Sequence, residues 1–503
     1  MSRTGTSEEP PRAPWLGWLA ACALAVGWGL GPALPALLRG ELIGQPFTDL
    51  YPAVWGMWWF AGEQPGLPTS CALLGAPAGM PFYYSSPLHG WAAWPLLPLL
   101  GLPATWNALV VAARVATVLC AYGAARAWGL ARSGALVAAA VYGCAPFFHG
   151  YAVEGIVEGT DGWTLALWLW AFAARRPVAG AVAFALTVLS SWYLAAVACV
   201  LAVFLGPRGW LTMAGGLALS FPALWGFLGA FPGREPLDPA IRAAMGTQLG
   251  LSPPGLLEGL NPFAKTSWVG LVAPLLALRA VKAELRAHRV ALAALAVCVV
   301  LSFGVGFWYG LPPLSALRFP YRFHAGTLAV LALLAGRGVA GWRFGGALSI
   351  VIVAEGLALS PVEPVLPGAP AAVDPIYAHA RKDGLLLDIP GPVAMPPGQV
   401  NASRPRARWF LYGQTAHGRP SPWVPDFNSV GVVPSPTLDS ARALDPLEGL
   451  PAPEHLALPP EVRQVVVHRR ELRDRAQLAH DLLLEAGFVL DAKEDGRWLY
   501  LRP

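Results

Sequence analysis

A single aspartate, Asp49, stands in the stretch Arg39–Ser86, and the aromatics Tyr51, Trp55, Trp58 and Trp59 follow it closely. No Lys or Arg occurs from Gly40 to Ala113. A carboxylate in this setting can serve as a general base that takes the proton from an acceptor hydroxyl. It can equally be a helix cap, because Thr48-Asp49 ahead of Leu-Tyr-Pro is a credible helix start. Trp55, Trp58 and Trp59 can stack on sugar faces or anchor the stretch at an interface. Tyr83 and Tyr84, in Pro-Phe-Tyr-Tyr-Ser-Ser-Pro, and His89, beside Trp91, are further candidates for substrate contact, with His89 reading as interfacial rather than catalytic.

Two more groups have chemistry in them. Glu154, Glu158 and Asp161 follow one another in a short polar stretch. Glu158 and Asp161 could offer oxygen ligands to a hard divalent cation, Mg or Mn, or be solvated acids that cap the next helix. Arg318 and Arg322, in Arg-Phe-Pro-Tyr-Arg-Phe, could hold a phosphate through the guanidinium fork, or snorkel to lipid headgroups. Asn401-Ala-Ser403 matches a glycosylation sequon, and Gly413–Gly418 is the most distinctive polar run near the C-terminus. The six cysteines form no CxxC pair, which argues against a disulfide framework or a zinc site.

These residues need a frame, and the composition says which kind. Of 503 residues, 55% are hydrophobic and 13% charged, whereas a soluble chain carries about 25% charged residues. The 22 tryptophans fit aromatic belts at two membrane interfaces. The net charge of +5 is spread through loops and argues against a nucleic-acid partner. A span needs about 20 apolar residues, and Lys and Arg favour cytoplasmic loops. Both rules together predict a signal-anchor span at 15–38, an external loop at 39–86, an interfacial helix at 87–101, and spans at 104–125, 133–149, 163–174, 177–190, 193–206, 210–231, 267–278, 290–308, 325–336 and 345–360. Segments 177–206 can also be read as one long helix, which would place the basic stretch Arg279–Arg289 outside. A second external loop is expected at Pro232–Thr266.

Near Pro361 the chain becomes charged and turn-rich. The expected organisation is a polytopic membrane domain, 1–360, followed by an extracytoplasmic α/β domain, 361–503. In the second part 384–390 and 462–468 read as strands, Glu471–Ala486 as a helix, and the last residues as a hairpin turning at Glu494-Asp495-Gly496.

The pattern resembles the GT-C superfamily of membrane glycosyltransferases, in particular bacterial multi-pass relatives with an extracytoplasmic C-terminal domain. The likeness rests on Gly44-Gln-Pro-Phe-Thr-Asp49-Leu-Tyr, Pro81–Pro87, Asn107, Ala145-Pro-Phe-Phe-His149-Gly, Arg318–Phe323, Leu387-Asp-Ile-Pro390 and Tyr412–Pro420. It implies an α-helical polytopic fold of about eleven spans with a small C-terminal α/β domain. It also implies a bacterial plasma-membrane location and a polyprenyl-phosphate sugar donor, while the placement of Lys and Arg predicts a cytoplasmic N-terminus. Asp49 then becomes the base, with Glu158 and Asp161 in the place of a second acidic motif. The chain departs from the pattern in having no Asp-x-Asp in its first loop. Transport of a lipid-linked or small polar substrate, or a non-catalytic scaffold, are the other readings.

Overall fold

Apolar runs punctuated by proline and glycine set the architecture, seen in a computed structural model that describes residues 15–46, 48–62, 66–81, 86–229, 267–303, 320–342, 344–391, 406–423 and 438–503. In chain order the helices are α1 Trp15–Leu30, α2 Leu34–Leu38, α3 Leu50–Gly62, α4 Pro87–Leu100, α5 Leu102–Ala127, α6 Arg132–Gly143, α7 Pro146–Val153, α8 Val157–Thr160, α9 Gly162–Ala173, α10 Pro177–Ser190, α11 Trp192–Leu205 and α12 Pro207–Gly229. They continue with α13 Val272–Ala283, α14 Leu285–Ser302, α15 His324–Gly338, α16 Leu348–Leu359, α17 Arg406–His417, α18 Asp439–Arg442, α19 Arg469–Leu472 and α20 Ala476–Glu485. Proline opens many of them, where its missing N–H costs no hydrogen bond.

Two compact units emerge: 1–45, 85–223 and 239–369 form the first, and 46–84, 224–238 and 370–503 form the second. The second unit thus contains Asp49 and the helix after it as well as the C-terminal segment.

In the first unit, α5, the stretch Arg132–Val153 and α14 are long and apolar enough to cross a membrane by length and composition, and four shorter apolar helices accompany them. Large apolar side chains such as Leu99, Val178, Leu275 and Ile350 stand exposed. A surface of this kind belongs against lipid rather than water, and the chain is built for a membrane. Two expected spans are broken. The run 15–38 turns between α1 and α2 at Gly31-Pro32-Ala33, and 133–149 breaks at Cys144-Ala145 ahead of Pro146. The segment 177–206 parts at Ser191, whose Oγ accepts from Leu194 N at 3.3 Å and caps α11. Helices α6 and α15 cross so closely that a Cβ at Gly134 would collide with the Gly336 carbonyl. Two short strands, β1 Leu42–Ile43 and β4 Gly368–Ala369, pair antiparallel. Asn107 explains its place in α5: its Oδ1 accepts from Ile43 N and its Nδ2 donates to Glu41 O, both at 2.8 Å.

In the second unit, β2 Ser70–Cys71 pairs antiparallel with β3 Met80–Pro81. The C-terminal sheet has the order β5 Leu385–Ile389, β6 Val462–His468, β8 Arg497–Leu501, β7 Val489–Glu494, with β5 and β6 parallel and the others antiparallel. Every residue of β5 is buried, four of them apolar and the fifth Asp388. The hairpin β7–β8 turns on Asp495 and Gly496, both at positive φ, as a two-residue turn of the right twist requires. Ile376, Leu386, Val466 and Leu499 form the core beneath it.

Candidate functional site

Asp49 lies at the start of α3, where its carbonyl accepts from Ala53 N at 2.9 Å and opens the helix. It is half-buried. The ring of Trp55 is fully buried and lies parallel to Trp59, with centroids 6.0 Å apart and a 7° interplanar angle. Its Nε1 donates to Gln414 Oε1 at 2.8 Å. Trp55 is therefore packed into the unit rather than offered to a sugar, whereas Trp58 on the next turn keeps partial exposure. Tyr83, Tyr84, Arg318, the sequon at 401–403 and the loop 232–266 lie outside the described residues.

The first unit gathers another set. Arg322 is buried and its Nη1 makes an ion pair with Glu158 Oε1. The guanidinium also lies over the ring of Tyr193 at 3.9 Å and that of Tyr151 at 5.6 Å, and Tyr151 stacks on Tyr321 at 6.4 Å. Aromatic faces stabilise a cation that burial would otherwise penalise. Burial alone would lower the pKa of this guanidinium; the Glu158 carboxylate and the phenols outweigh it and hold Arg322 above its ordinary value.

Next to Glu158 in sequence, Asp161 is 1% exposed at the start of α9. Its Oδ1 accepts from Trp163 Nε1 at 3.0 Å, and Oδ2 stands 3.3 Å from His89 Nδ1. Ser86 Oγ, 2.8 Å from the same Nδ1, donates to the Ser190 carbonyl at 3.0 Å. The hydroxyl proton is spent on Ser190, so Nδ1 is the protonated nitrogen of His89 and faces both Ser86 and Asp161. His89 is thus a member of a buried polar cluster, not an interfacial side chain. Burial pushes the Asp161 carboxyl up to about 8, against the pull of the Trp163 N–H. Burial also pushes the His89 imidazole down to about 3.

A hard cation needs ionised, converging carboxylates. Glu158 is committed to Arg322, Asp161 is held in an environment that favours its neutral form, and no group of three or more metal-ligating side chains occurs among the described residues. These residues do not fit a divalent cation, and no step below is routed through one.

The raised carboxyl has a consequence for stability. Between its ordinary 3.8 and about 8 the folded chain keeps a proton that the unfolded chain releases, so this group's contribution is full below 3.8 and is lost as pH rises through 8. His89 works the other way and costs stability as pH falls from 6.5 towards 3. Asp161→Asn, which mimics the protonated carboxyl, should flatten the alkaline limb: thermal unfolding in detergent from pH 5 to 9 should show wild type losing stability while the variant does not.

Sequence reading named Glu158, Asp161, His89 and Arg322 for separate roles and missed that they form two neighbouring polar clusters. It gave no role to Tyr151, Tyr193, Tyr321 or Ser86, and singled out the run that holds Gln414 without assigning the residue a part. The turn Ser190-Ser191-Trp192-Tyr193 was the one visible trace, since polar residues between two apolar runs need a reason.

No protein-family model matches the sequence, and no curated protein matches it. Solved structures do. The arabinofuranosyltransferase AftD from Mycobacteria matches with a TM-score of 0.60 at 18% identity over 96% of this chain and 40% of that one. The Archaeoglobus fulgidus oligosaccharyltransferase, solved with Zn and sulfate, matches with a TM-score of 0.52 at 13% identity over 96% of this chain and 73% of that one. The chain spans about 40% of the length of the AftD structure it matches. What these likenesses define is a GT-C-like fold.

Proposed function

We propose that this chain is a glycosyltransferase of the GT-C type that moves a sugar from a polyprenyl-phosphate donor to an acceptor hydroxyl at the extracytoplasmic face of a bacterial plasma membrane. The observation that carries the reading is the GT-C-like fold over 96% of the chain, found against two transferases of sugars. The chain's own residues add a carboxylate at the head of a structured helix and a buried guanidinium suited to phosphate.

In this mechanism the acceptor oxygen attacks the anomeric carbon, and Asp49 takes the hydroxyl proton. The bond between that carbon and the phosphate oxygen breaks, and the phosphate leaves with the electron pair. A phosphate is already a weak base, so no general acid is needed. The role we give Arg322 is to hold a donor phosphate through its planar guanidinium fork. The phosphate would share or take over the guanidinium now paired with Glu158. Trp58, not Trp55, is the aromatic that could meet a sugar.

The test is transfer itself. Membranes carrying the chain, given radiolabelled polyprenyl-phosphate pentose and hexose donors, should move label into acceptor material above membranes lacking it. Label that moves across the bilayer without changing its covalent attachment would favour transport instead.

A further inference from the structure

We propose that the C-terminal domain is the mount of the Asp49 helix, with Gln414 as the positioning residue that joins them; the catalytic half of this inference rests on the assignment of Asp49 as base.

Gln414 sits in α17 and is 1% exposed. Its Oε1 accepts from Trp55 Nε1 at 2.8 Å, while its Nε2 donates to the Leu73 carbonyl at 2.8 Å and the Arg419 carbonyl at 2.7 Å. The amide's orientation follows from chemistry: an indole N–H can only donate and a carbonyl can only accept. One buried side chain thus grips α3, the later part of the same loop and its own domain, with both N–H groups used.

The grip is reinforced on both sides. Tyr51, two residues after Asp49, donates from Oη to the Pro370 carbonyl at 3.2 Å, and its ring lies 4.8 Å from that of Tyr412. Tyr412 Oη donates to the Ala371 carbonyl at 2.7 Å. Further along the loop, Ser421 N donates to Leu73 O at 2.9 Å, Ala76 N to Ser421 O at 3.1 Å and Gly75 N to Trp423 O at 3.2 Å. Trp423 Nε1 then donates to the Asp388 carbonyl of β5 at 2.7 Å. A continuous set of bonds therefore runs from Trp55 of α3, through Gln414 and the stretch Leu73–Ala76, to the sheet.

Trp55 lies six positions beyond Asp49, about 9 Å along a helix rising 1.5 Å per residue. Bonds at that distance set the helix axis and so the position of its first carboxylate. A shift of about 1 Å in a reacting group can cost about 100-fold in rate. Gln414 acts through Asp49 and touches no reacting atom.

The experiment uses the full chain in detergent or nanodiscs. In hydrogen–deuterium exchange, Gln414→Leu should speed exchange of the 50–62 peptide about tenfold and leave α5 and α15 unchanged. Trp55→Phe, which removes the same bond from the other partner, should do likewise, and the double variant should add nothing, as a shared bond requires. With the polyprenyl-phosphate donors above, Gln414→Leu should lower the transfer rate about tenfold in the native background and not at all in Asp49→Asn. If α3 exchanges as in wild type in both single variants, the mount is overturned. A loss of rate equal in both Asp49 backgrounds overturns the positioning role, because it reports general damage. A fully active Asp49→Asn overturns the base assignment instead, and the exchange comparison still decides the mount.

Discussion

Asp49→Asn is expected to lower the rate of sugar transfer about 100- to 10,000-fold, the range that a positioned general base supplies. The substitution keeps the size of the side chain and its place at the opening of α3, where the Asp49 carbonyl accepts from Ala53 N. Asn remains a good residue for a helix start, so protein level and thermal unfolding should stay close to wild type. That separation is what makes the experiment decisive. A carboxylate that only caps the helix would lose a little stability and no rate. The measurement is transfer from a polyprenyl-phosphate sugar in membranes normalised to protein level, and unchanged transfer removes Asp49 from the mechanism.

The second large effect is expected at Arg322. Arg322→Ala leaves the Glu158 carboxylate without its cation, and truncating one partner of a buried charge pair costs about 2–5 kcal/mol. The side chains concerned are 7% and 18% exposed, so water can relieve little of this. The double variant Arg322→Met/Glu158→Gln should recover most of the loss, since a buried ion pair replaced as a whole often costs little. Chemical unfolding of the purified protein checks both statements; equal destabilisation by the single and double variants would show that the pair itself is not what matters. The same coupling warns against reading donor binding from the alanine variant. Arg322→Lys is the informative one: it keeps the charge opposite Glu158 but loses the planar fork, and it should raise the KM for a polyprenyl-phosphate donor with a smaller loss of stability.

How much of this could be read from residues alone depended on distance along the chain. Local patterns came through well. The strands Leu385–Ile389 and Val462–His468 appear where the sequence places them, and the hairpin turns at Asp495-Gly496 because two positive-φ positions can be recognised from their residues. The apolar runs became helices, and those at 15–38 and 133–149 are interrupted at Gly31-Pro32 and at Cys144–Pro146, where proline ends one helix and starts another. The site was legible only as a set of residue types. Nothing in the sequence reports that Arg322 and Glu158, 164 positions apart, are partners, or that His89 turns its Nδ1 to Asp161.

Composition and short-range pattern by themselves determined that this is a membrane chain with a charged, partly β-stranded C-terminal segment, and that Asp49 heads a helix. Those properties depend on hydrophobicity and backbone preference over a few turns. Only the tertiary structure decided that the segment around Asp49 packs with the C-terminal residues in one compact unit, that Trp55 is buried and bonded to Gln414, and that Glu158 pairs with Arg322 while Asp161 is buried beside Trp163 and His89. These pairings join segments far apart in the chain, and they are selected by burial: a polar group removed from water must find its partner wherever the fold brings one.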